Sequence, residues 1–419
     1  MCDVAVVGGG AAGMMAAVSA SDSGAKVVII EKNKYTGRKI GITGKGRCNV
    51  TNNCTVSELL ESVRSNPKFL YGAANKFTSA DTMEFFEKAG VKLKTERGRR
   101  VFPASDKASD IQFAFDRQLR ERGVKVLYNS SVKSIEKIEN GWRVKYSTPN
   151  GVTNGAVELE TKAVVVATGG LSYPLTGSTG DGHKILSGMG VKITPLRPSL
   201  VPVETTEDYS PLSGLSLKNV TLTVMYNNKA VFSEMGEMLF THFGVSGPLV
   251  LSASANMQKG ETREYRMMLN LKPALMPEEL DKRIVSDFAK YSAKDFVNSL
   301  SDLLPQKLIP VVVERTGIDP HKKTANVTRE ERQRLVNVLR EFEIGVKGFR
   351  PIEEAIITAG GIDVSELSPK TMEFKNHPGL FAAGEIIDID AYTGGYNLQL
   401  AFSTGHLAGK SAAEFALCR

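Results

Sequence analysis

The sequence predicts an α/β protein in which a parallel β-sheet domain is interrupted by an antiparallel β-rich domain and a small helical domain. Three observations support this fold class. A strand, a glycine-rich turn, a helix and a second strand open the chain, and strand–helix alternation continues to about residue 194. Short alternating strands follow, and then a mainly helical stretch. The α/β pattern returns near residue 350, so we expect an insertion between two parts of one sheet domain.

Turn and capping residues mark the insertion. Val220–Tyr226 alternates as a strand does and ends at the turn signal Asn227–Asn228, which indicates antiparallel sheet. Pro277 opens the helical stretch, in which Thr328 and Glu331 form a capping-box pattern. The predicted boundaries are 1–194 and 359–419 for the sheet domain, 195–273 and 342–358 for the β-rich domain, and 274–341 for the helical domain.

The opening motif has the pattern of a dinucleotide-binding turn. The valine-rich strand Cys2–Val7 runs directly into Gly8, Gly10 and Gly13, which occupy the G-x-G-x-x-G positions. Such glycines allow a tight turn and a close approach of the backbone to a pyrophosphate at the next helix N-terminus. Glu31 ends the second strand, where a carboxylate accepts hydrogen bonds from a ribose and repels a 2′-phosphate. Together these features predict an unphosphorylated dinucleotide.

Two further glycine clusters indicate which dinucleotide to expect. Ala167–Gly170 follows a buried strand, and Asp181 lies in the turn before another helix. Near the C-terminus, Gly384 and Glu385 follow a strand, and Gly395–Leu398 begins a helix rich in small residues. A helix N-terminus there suits the N1–C2=O edge of a flavin, where negative charge accumulates on reduction. Because NAD needs mainly the first cluster, three clusters favour the longer FAD.

A glycine-rich loop after the second strand carries charge for such a ligand. Arg38, Lys39, Lys45 and Arg47 alternate with its glycines, and their positive charge suits a pyrophosphate. Cys48 has no C-x-x-C partner. We therefore interpret it as a small apolar side chain beside the cofactor, and a redox role is the less favoured alternative.

Four segments resemble one flavoprotein family, which includes aminoacetone-oxidase-like proteins and the bile-acid dehydro-reductase of gut clostridia. The segments are Gly37–Asn52, Thr176–Gly182, Thr241–Pro248 and Ala383–Gly405, and the resemblance extends over essentially the whole chain. It implies a two-dinucleotide-binding-type, Rossmann-like FAD domain that is interrupted by a β-rich substrate domain and a small helical domain. It also implies that Val132 binds the adenine through its backbone.

The motifs and the resemblance together define a set of cofactor contacts. Glu31 is expected at the adenosine ribose, and Glu385 stands where many related flavoproteins place Asp toward the ribityl chain. The predicted cofactor-binding residues are Gly8, Gly10, Ala12, Gly13, Glu31, Lys32, Arg38, Lys39, Thr43, Gly46, Arg47, Cys48, Asn49, Val132, Ala167, Thr168, Gly169, Gly170, Asp181, Gly384, Glu385, Gly395, Asn397 and Leu398.

Composition limits the classes of function. The chain has 419 residues, and 53 Lys and Arg against 46 Asp and Glu leave a net charge of +7. No apolar stretch has the length of a membrane span, and four scattered cysteines suit neither a disulfide framework nor a metal site. Because a strand already opens the sequence, we expect no secretory signal. We expect a cytoplasmic protein with a small-molecule substrate, no metal and no membrane partner.

The densest basic patch lies within 92–100, where Lys92, Lys94, Arg97, Arg99 and Arg100 surround one acid. We interpret it as a solvated face. An RNA site and a groove for an anionic small molecule are the alternatives, so nucleic acid is the less favoured partner.

Two residues are candidates for proton transfer. Tyr392 follows the third glycine cluster, and His242 lies in the insertion, within reach of a substrate if that domain caps the flavin. An aromatic wall or a hydrogen-bonded hinge is the alternative role for either. The insertion contains no second G-x-G-x-x-G with strand and acid. We therefore expect either that NAD(P)H reaches the flavin directly or that electrons come from a substrate or a protein partner.

These observations predict an FAD-dependent oxidoreductase that passes hydride between flavin N5 and a small organic substrate. The resemblance offers two chemistries, and we favour NAD(P)H-driven reduction of an enone C=C bond in a steroid or bile-acid-like molecule. The other is O₂-dependent oxidation of an amine or aminoketone. A flavin-binding protein that modifies or binds RNA is an alternative of another class, and a regulatory flavoprotein without turnover is a third.

Overall fold

The computed structural model describes residues 2–148, 157–257 and 260–418. The chain forms two compact units. The first unit joins Met1–Ser199 to Ile352–Arg419, and the second is Leu200–Pro351. The second unit is therefore inserted between two segments of the first unit.

Strands and helices are numbered along the whole chain. The strands are β1 (Cys2–Val7), β2 (Val27–Ile30), β3 (Thr51–Asn52), β4 (Leu93–Glu96), β5 (Arg100–Pro103), β6 (Lys125–Leu127), β7 (Ser131–Ile138), β8 (Gly141–Ser147), β9 (Val157–Val166), β10 (Ile193–Ser199), β11 (Val203–Thr205), β12 (Ser216–Tyr226), β13 (Lys229–Thr241), β14 (Gly244–Ser246), β15 (Tyr265–Asn270), β16 (Phe342–Phe349), β17 (Ile357–Ile362) and β18 (Leu380–Ala382). The helices are α1 (Ala11–Asp22), α2 (Arg38–Ile42), α3 (Val56–Ser62), α4 (Tyr71–Lys76), α5 (Ser79–Lys88), α6 (Ala108–Glu121), α7 (Asp181–Gly188), α8 (Pro248–Ser254), α9 (Pro277–Lys290), α10 (Phe296–Ser299), α11 (Ile309–Thr316), α12 (Arg329–Arg340) and α13 (Tyr396–Leu417).

The main sheet of the first unit has the strand order β6–β2–β1–β9–β8–β7, and β18 also pairs with β9. The pairings among β6, β2, β1, β9 and β18 are parallel, whereas β8 pairs antiparallel with β9 and β7. Val4, Ala5 and Val6 in β1 are fully buried, as is typical of a parallel strand that is covered on both faces. Because parallel strands end at one edge of the sheet, the turns after β1, β2, β9 and β18 come together there.

The long helix α13 packs directly against α1. Gly405 and Gly409 permit this contact, because a Cβ atom there would lie 2.4 Å from the carbonyl oxygen of Ala12 and 2.1 Å from that of Ala16. Gly405 contacts Ala12 and Gly409 contacts Ala16, so the two helices run in the same direction. The start of α13 therefore projects beyond the start of α1, toward the sheet edge.

A buried polar network fixes this projecting start. Gln399 is fully buried, and its side-chain oxygen accepts hydrogen bonds from the hydroxyls of Thr51 at 2.7 Å and Thr82 at 2.8 Å. Its amide nitrogen donates to the Phe77 carbonyl at 3.1 Å and to the Ser403 hydroxyl at 3.0 Å. Because each of these polar groups is satisfied inside the protein, the network holds α13 against β3 and α5.

The second unit is built around a closed barrel with the strand order β11–β14–β13–β12–β15–β16. The hairpin of β12 and β13 turns at Asn227 and Asn228, which have φ angles of 49° and 59°, as the sequence pattern predicted. Register shifts between Leu217 and Val220 bend this hairpin, and such irregularities help a sheet to close. Helices α9, α11 and α12 contribute to the same apolar core as the barrel.

The boundaries between the two units lie a few residues from the predicted boundaries of the sheet domain. β10 pairs antiparallel with β17 inside the first unit, so that unit extends to Ser199 and resumes at Ile352. Residues 352–358, predicted to return in the β-rich domain, thus lie in the first unit. That the helices α9–α12 fold as a domain of their own stays a prediction. In the described ranges, no helix combines the length and the apolar character needed to cross a membrane.

Candidate functional site

A cleft in the first unit opens at the carboxyl ends of β1, β2 and β9. It encloses about 1290 Å³ of space between protein atoms, its open mouth included. Its lining extends from the turn after β1 to the start of α13, as an extended ligand would require. The turns after β1, β2, β9 and β18 contribute to its lining, together with the starts of β7, β17 and α13.

The carboxylate of Glu31 is buried in this cleft and oriented by hydrogen bonds. Its Oε2 accepts from the Gly9 backbone N–H at 2.7 Å. Its Oε1 accepts from the backbone N–H and the side-chain amide of Asn33, both at 2.7 Å. An ionised carboxylate offers about four acceptor positions, so Glu31 retains capacity for a ribose hydroxyl. The position at the end of β2 is the one that the sequence predicted.

The glycines of the opening turn have two different roles. Gly8 has a φ angle of +102°, which favours glycine, and it lines the cleft. Gly10 also lines the cleft, and a Cβ atom there would meet nothing within 4 Å, so the backbone faces open space. Gly13 lies outside the lining, because a Cβ atom there would be 1.9 Å from the Gly8 carbonyl oxygen. It keeps α1 close against the turn.

Two lysines line the cleft beside acidic partners. Lys32 Nζ lies 2.8 Å from the carboxylate of Asp181 at the start of α7. Partial burial raises the pKa of Asp181, but hydrogen bonds from Lys32 and Thr179 hold it below its ordinary value. Lys39 Nζ lies 2.7 Å from the carboxylate of Glu385, after β18. These pairs join the segments after β2 to those after β9 and β18, and they offset part of the positive charge expected there.

The second glycine cluster presents an unpaired polar atom. Ala167, Thr168 and Gly169 line the cleft. The Thr168 hydroxyl oxygen is buried, and no hydrogen-bond partner for it exists among the described residues. Gly170 lies behind this wall, since a Cβ atom there would meet the Thr358 hydroxyl at 2.3 Å. A buried hydroxyl without a partner is rare in folded proteins, and a bound ligand supplies one.

The third cluster presents side chains from a tightly packed backbone. Glu385, Asn397 and Leu398 line the cleft. Gly384 and Gly395 lie outside its lining, because Cβ atoms there would lie 2.6 Å from the Ala12 Cβ and 2.4 Å from the Thr51 carbonyl. These two glycines instead let the chain pass close to α1 and β3.

Some predicted contacts lie outside the lining for other reasons. Arg47 is drawn toward the surface, where its guanidinium lies 4.1 Å from the Phe102 ring centroid and forms ion pairs with Glu96 and Asp106. Burial raises the pKa of the Cys48 thiol to about 12, which disfavours thiolate chemistry. The predicted residues outside the lining are Gly13, Gly46, Arg47, Cys48, Asn49, Gly170, Gly384 and Gly395. Their contact with a cofactor stays a prediction.

Neither candidate proton-transfer residue is among the residues that line the cleft. Tyr392 is half-buried in the loop before α13, and the Arg64 guanidinium lies 5.0 Å from its ring centroid. His242 belongs to the second unit, between β13 and β14, where its ring packs edge-on against Phe243. Their roles remain predictions.

Sequence reasoning missed several residues that line the cleft. Asn33 accepts a hydrogen bond from Arg38 at 2.9 Å and thereby connects a cation of the lining to Glu31. Ser130 and Ser131 precede Val132, and the Ser130 N–H donates to the Glu31 carbonyl at 2.8 Å. This pairing places the start of β7 beside the end of β2, and no local motif marks it. Ile356 and Ile357 also line the cleft. The sequence pattern placed them in the β-rich domain and so did not predict a contact with the cofactor.

The cleft matches the chemistry of FAD. Glu31 can accept a hydrogen bond from a ribose hydroxyl, and the open Gly10 backbone allows a pyrophosphate to approach. The buried Thr168 hydroxyl has no hydrogen-bond partner among the described residues. Arg38 and Lys39 contribute cationic groups to the same lining. Among the described residues, no cluster of His, Cys, Asp and Glu side chains is arranged to hold a metal ion.

The chain matches known proteins along nearly its whole length. A family model described as HI0933-like protein Rossmann domain matches residues 2–411. The chain is 32% identical to a ribosomal RNA dihydrouridine synthase of Haemophilus influenzae, over 97% of both chains. It is 27% identical to a 3-dehydro-bile acid delta(4,6)-reductase of Clostridium scindens, over 98% of this chain and 99% of that protein.

A solved structure confirms the fold class. The 3-ketosteroid-delta4-(5alpha)-dehydrogenase of Rhodococcus jostii RHA1 aligns with 99% of this chain and 96% of its own, at a TM-score of 0.51 and 14% identity. An identity this low shows the fold alone. The family match and the full-length relatives show more. The chain belongs to the HI0933-like Rossmann family, a family of FAD-dependent oxidoreductases.

Proposed function

We propose that this protein reduces a C=C bond conjugated to a carbonyl group, with NAD(P)H as the electron donor and a uracil ring of ribosomal RNA as the substrate. The observation that carries the proposal is the pair of full-length relatives with different substrates. One is named as a bile-acid delta(4,6)-reductase and the other as a ribosomal RNA dihydrouridine synthase. Uracil C5=C6 is conjugated to the C4 carbonyl, so both names describe saturation of an activated alkene.

The reaction balances without a metal. NAD(P)H supplies a hydride, which reaches the β-carbon of the alkene, and a proton from the protein or from water adds to the α-carbon. A bound flavin supplies the intermediate hydride exchange at N5. The products are NAD(P)⁺ and the saturated ring.

The residues of the cleft would hold the cofactor for this chemistry. We assign the adenosine ribose to Glu31, whose carboxylate Gly9 orients, and the pyrophosphate to the open backbone at Gly10. The N-terminus of α13 directs its positive end to the same lining through Asn397 and Leu398. Tyr392 remains our candidate for proton delivery, and its loop is linked to the cleft lining because Asn397 Nδ2 donates to the Tyr392 backbone carbonyl at 3.3 Å.

Two features favour RNA over the steroid-like substrate. The relative that acts on ribosomal RNA is 32% identical to this chain and the bile-acid reductase 27%, at nearly equal coverage. The net charge of +7 suits a polyanion, whereas a bile acid carries a single carboxylate. An enone of the bile-acid or steroid type is the second candidate, favoured by the alignment over 98% of the chain.

A product assay separates these candidates. The flavin-loaded protein is incubated without oxygen with NADH or NADPH and one of three substrates: deproteinised bacterial ribosomal RNA, a 3-oxo-Δ4 bile acid, or an aminoketone to which O₂ is then admitted. We expect RNA nucleosides that have gained two hydrogen atoms, detected by mass spectrometry. Saturation of the bile acid alone would replace the RNA substrate with the second candidate. Oxidation of the aminoketone alone would overturn the proposal of C=C reduction.

A further inference from the structure

Three exposed arginines lie around the loop that leads into the cleft. Arg97 and Arg100 flank the turn between β4 and β5, and Arg64 follows α3. None of the three has a carboxylate within 4.0 Å among the described residues. Arg99, by contrast, is neutralised by Glu58, with two contacts at 2.7 and 2.9 Å. We call Arg64, Arg97 and Arg100 the arginine rim.

Hydrogen bonds tie the first part of this rim to the loop before α13. The side-chain amide of Asn52 donates to the Gly98 carbonyl at 3.0 Å and to the Gly394 carbonyl at 3.1 Å. The Asn53 N–H donates to the Arg99 carbonyl at 2.8 Å. The Asn52 side chain therefore joins the turn that bears Arg97 and Arg100 to the loop before α13. That loop leads to Asn397 in the cleft lining.

Arg64 is tied to the same loop by the backbone. Val63 and Ala391 form an isolated antiparallel bridge, and the Arg64 N–H donates to the Asp390 carbonyl at 2.7 Å. The guanidinium lies 5.0 Å from the ring centroid of Tyr392, a cation–π distance. Ala391 in turn accepts a hydrogen bond from Asn397 at 2.8 Å. The rim thus reaches the loop through two elements that are distant in sequence.

The chemistry of the rim fits the sugar–phosphate backbone of RNA. A guanidinium binds phosphate through two parallel N–H donors, and an arginine over an aromatic ring resembles the stacking surfaces that RNA-binding proteins use. An enzyme that acts on a base takes the nucleotide into its pocket, so the flanking phosphates stay at the mouth. Several separate cations outside the cleft match that arrangement. A small ligand inside the cleft would leave them without an anionic partner.

We infer that the arginine rim binds the phosphates that flank the target nucleotide while its base enters the cleft. The inference deepens the proposed function and depends on its RNA substrate. It also assigns a role to part of the basic patch that the sequence presents as a solvated face. Lys94 does not take part, because it pairs with Asp106 at 2.7 Å.

The test is RNA binding by a charge-reversal variant in the flavin-loaded full chain. A short fluorescein-labelled RNA of mixed sequence is titrated at about 50 to 200 mM salt. We expect Arg97→Glu/Arg100→Glu to raise Kd at least about tenfold and to reduce the steepness of the log Kd against log salt plot by about 1 to 2. Lys125→Glu/Lys410→Glu makes the same change in net charge at exposed lysines and should change Kd less than about threefold.

The outcomes distinguish the rim from the proposed function. Equal loss of affinity in both double variants, or no RNA binding by the wild type at low salt, would overturn the rim. If the wild type reduces uridine in RNA and the arginine variant retains its Kd and salt slope, the rim is wrong and the proposed function stands. If the arginine variant loses affinity as expected but the wild type reduces no RNA, the rim binds RNA phosphate and the proposed function is wrong. Arg97→Gln/Arg100→Gln repeats the test if charge reversal prevents folding, and flavin absorbance reports the fold.

Discussion

The ammonium group of Lys39 lies 2.7 Å from the carboxylate of Glu385 inside the cleft. The other carboxylate oxygen accepts the Thr358 backbone N–H at 2.9 Å. The two side chains are 23% and 13% exposed, and they join segments from opposite ends of the chain. The pair therefore holds the third glycine cluster to the loop after β2.

The first prediction concerns the energy of this pair. Lys39→Met should lower the free energy of unfolding by about 1–3 kcal/mol, because a largely buried carboxylate loses its cation. A double-mutant cycle with Glu385→Gln should give a coupling of about 0.5–3 kcal/mol in chemical denaturation. Lys88→Met is the control, since Lys88 and Glu84 are 75% and 60% exposed and such pairs contribute about 0.3–0.5 kcal/mol. A coupling near zero would show that the pair does not hold the cleft together.

The second prediction concerns Glu31. Glu31→Gln should weaken FAD binding by about 10- to 150-fold, because a hydrogen bond to a charged group contributes about 1.5–3 kcal/mol. The measurement is fluorescence titration of the flavin-free protein with FAD. Asp3→Asn is a matched control, since Asp3 also accepts a backbone N–H, that of Lys26 at 2.9 Å, outside the cleft lining. Unchanged FAD affinity in Glu31→Gln would refute the ribose role.

The third prediction concerns the contact between α1 and α13. Gly409→Ala should lower the free energy of unfolding by about 1–3 kcal/mol, because the new methyl group would collide with the Ala16 carbonyl. Gly188→Ala in α7 should leave stability unchanged or slightly raised, since a Cβ atom there meets nothing within 4 Å and alanine favours helix. Thermal unfolding of both variants checks this. Equal stability of the two would mean that the helices do not pack as closely as described.

The fourth prediction concerns pH. His183 is 4% exposed, and burial lowers its pKa below 6.5 even though its Nε2 lies 2.9 Å from the Ile386 carbonyl oxygen. Between the folded pKa and 6.5, the unfolded chain binds the proton and the folded chain does not. Stability should therefore fall as pH drops below about 6.5, by up to about 1.4 kcal/mol per pH unit.

Denaturant unfolding of wild type and His183→Gln at several pH values measures this effect. The pKa of His406 is also lowered by burial, so the variant should reduce the slope and not abolish it. His321, which is largely exposed, supplies the control variant His321→Gln with an unchanged slope. If the free energy of unfolding depends on pH equally in wild type and His183→Gln, burial does not lower the pKa of His183.

The sequence predicted the parts of the site that depend on neighbouring residues. The Gly8–Gly13 turn and Glu31 belong to one strand–turn–helix–strand unit, so their order along the chain determines their geometry. The hairpin at Asn227–Asn228 was predictable for the same reason. Local pattern was sufficient in both cases.

The rest depends on contacts between distant segments. The position of Arg47 is set by Glu96 and Asp106, and no spacing rule connects them to the glycine loop. The unit boundary depends on the pairing of β10 with β17, which lie more than 150 residues apart. Gly384 and Gly395 look like ligand-binding glycines in sequence, yet each allows a close backbone crossing.

The most direct test of the proposed reaction is reoxidation of the reduced protein in the absence of oxygen. The flavin-loaded protein is bleached with one equivalent of NADPH, and deproteinised ribosomal RNA is then added. We expect the visible flavin absorbance to return while uridine in the RNA gains two hydrogen atoms in equal amount. A protein that stays reduced with RNA and with a 3-oxo-Δ4 bile acid, and is reoxidised only by O₂, would contradict C=C reduction.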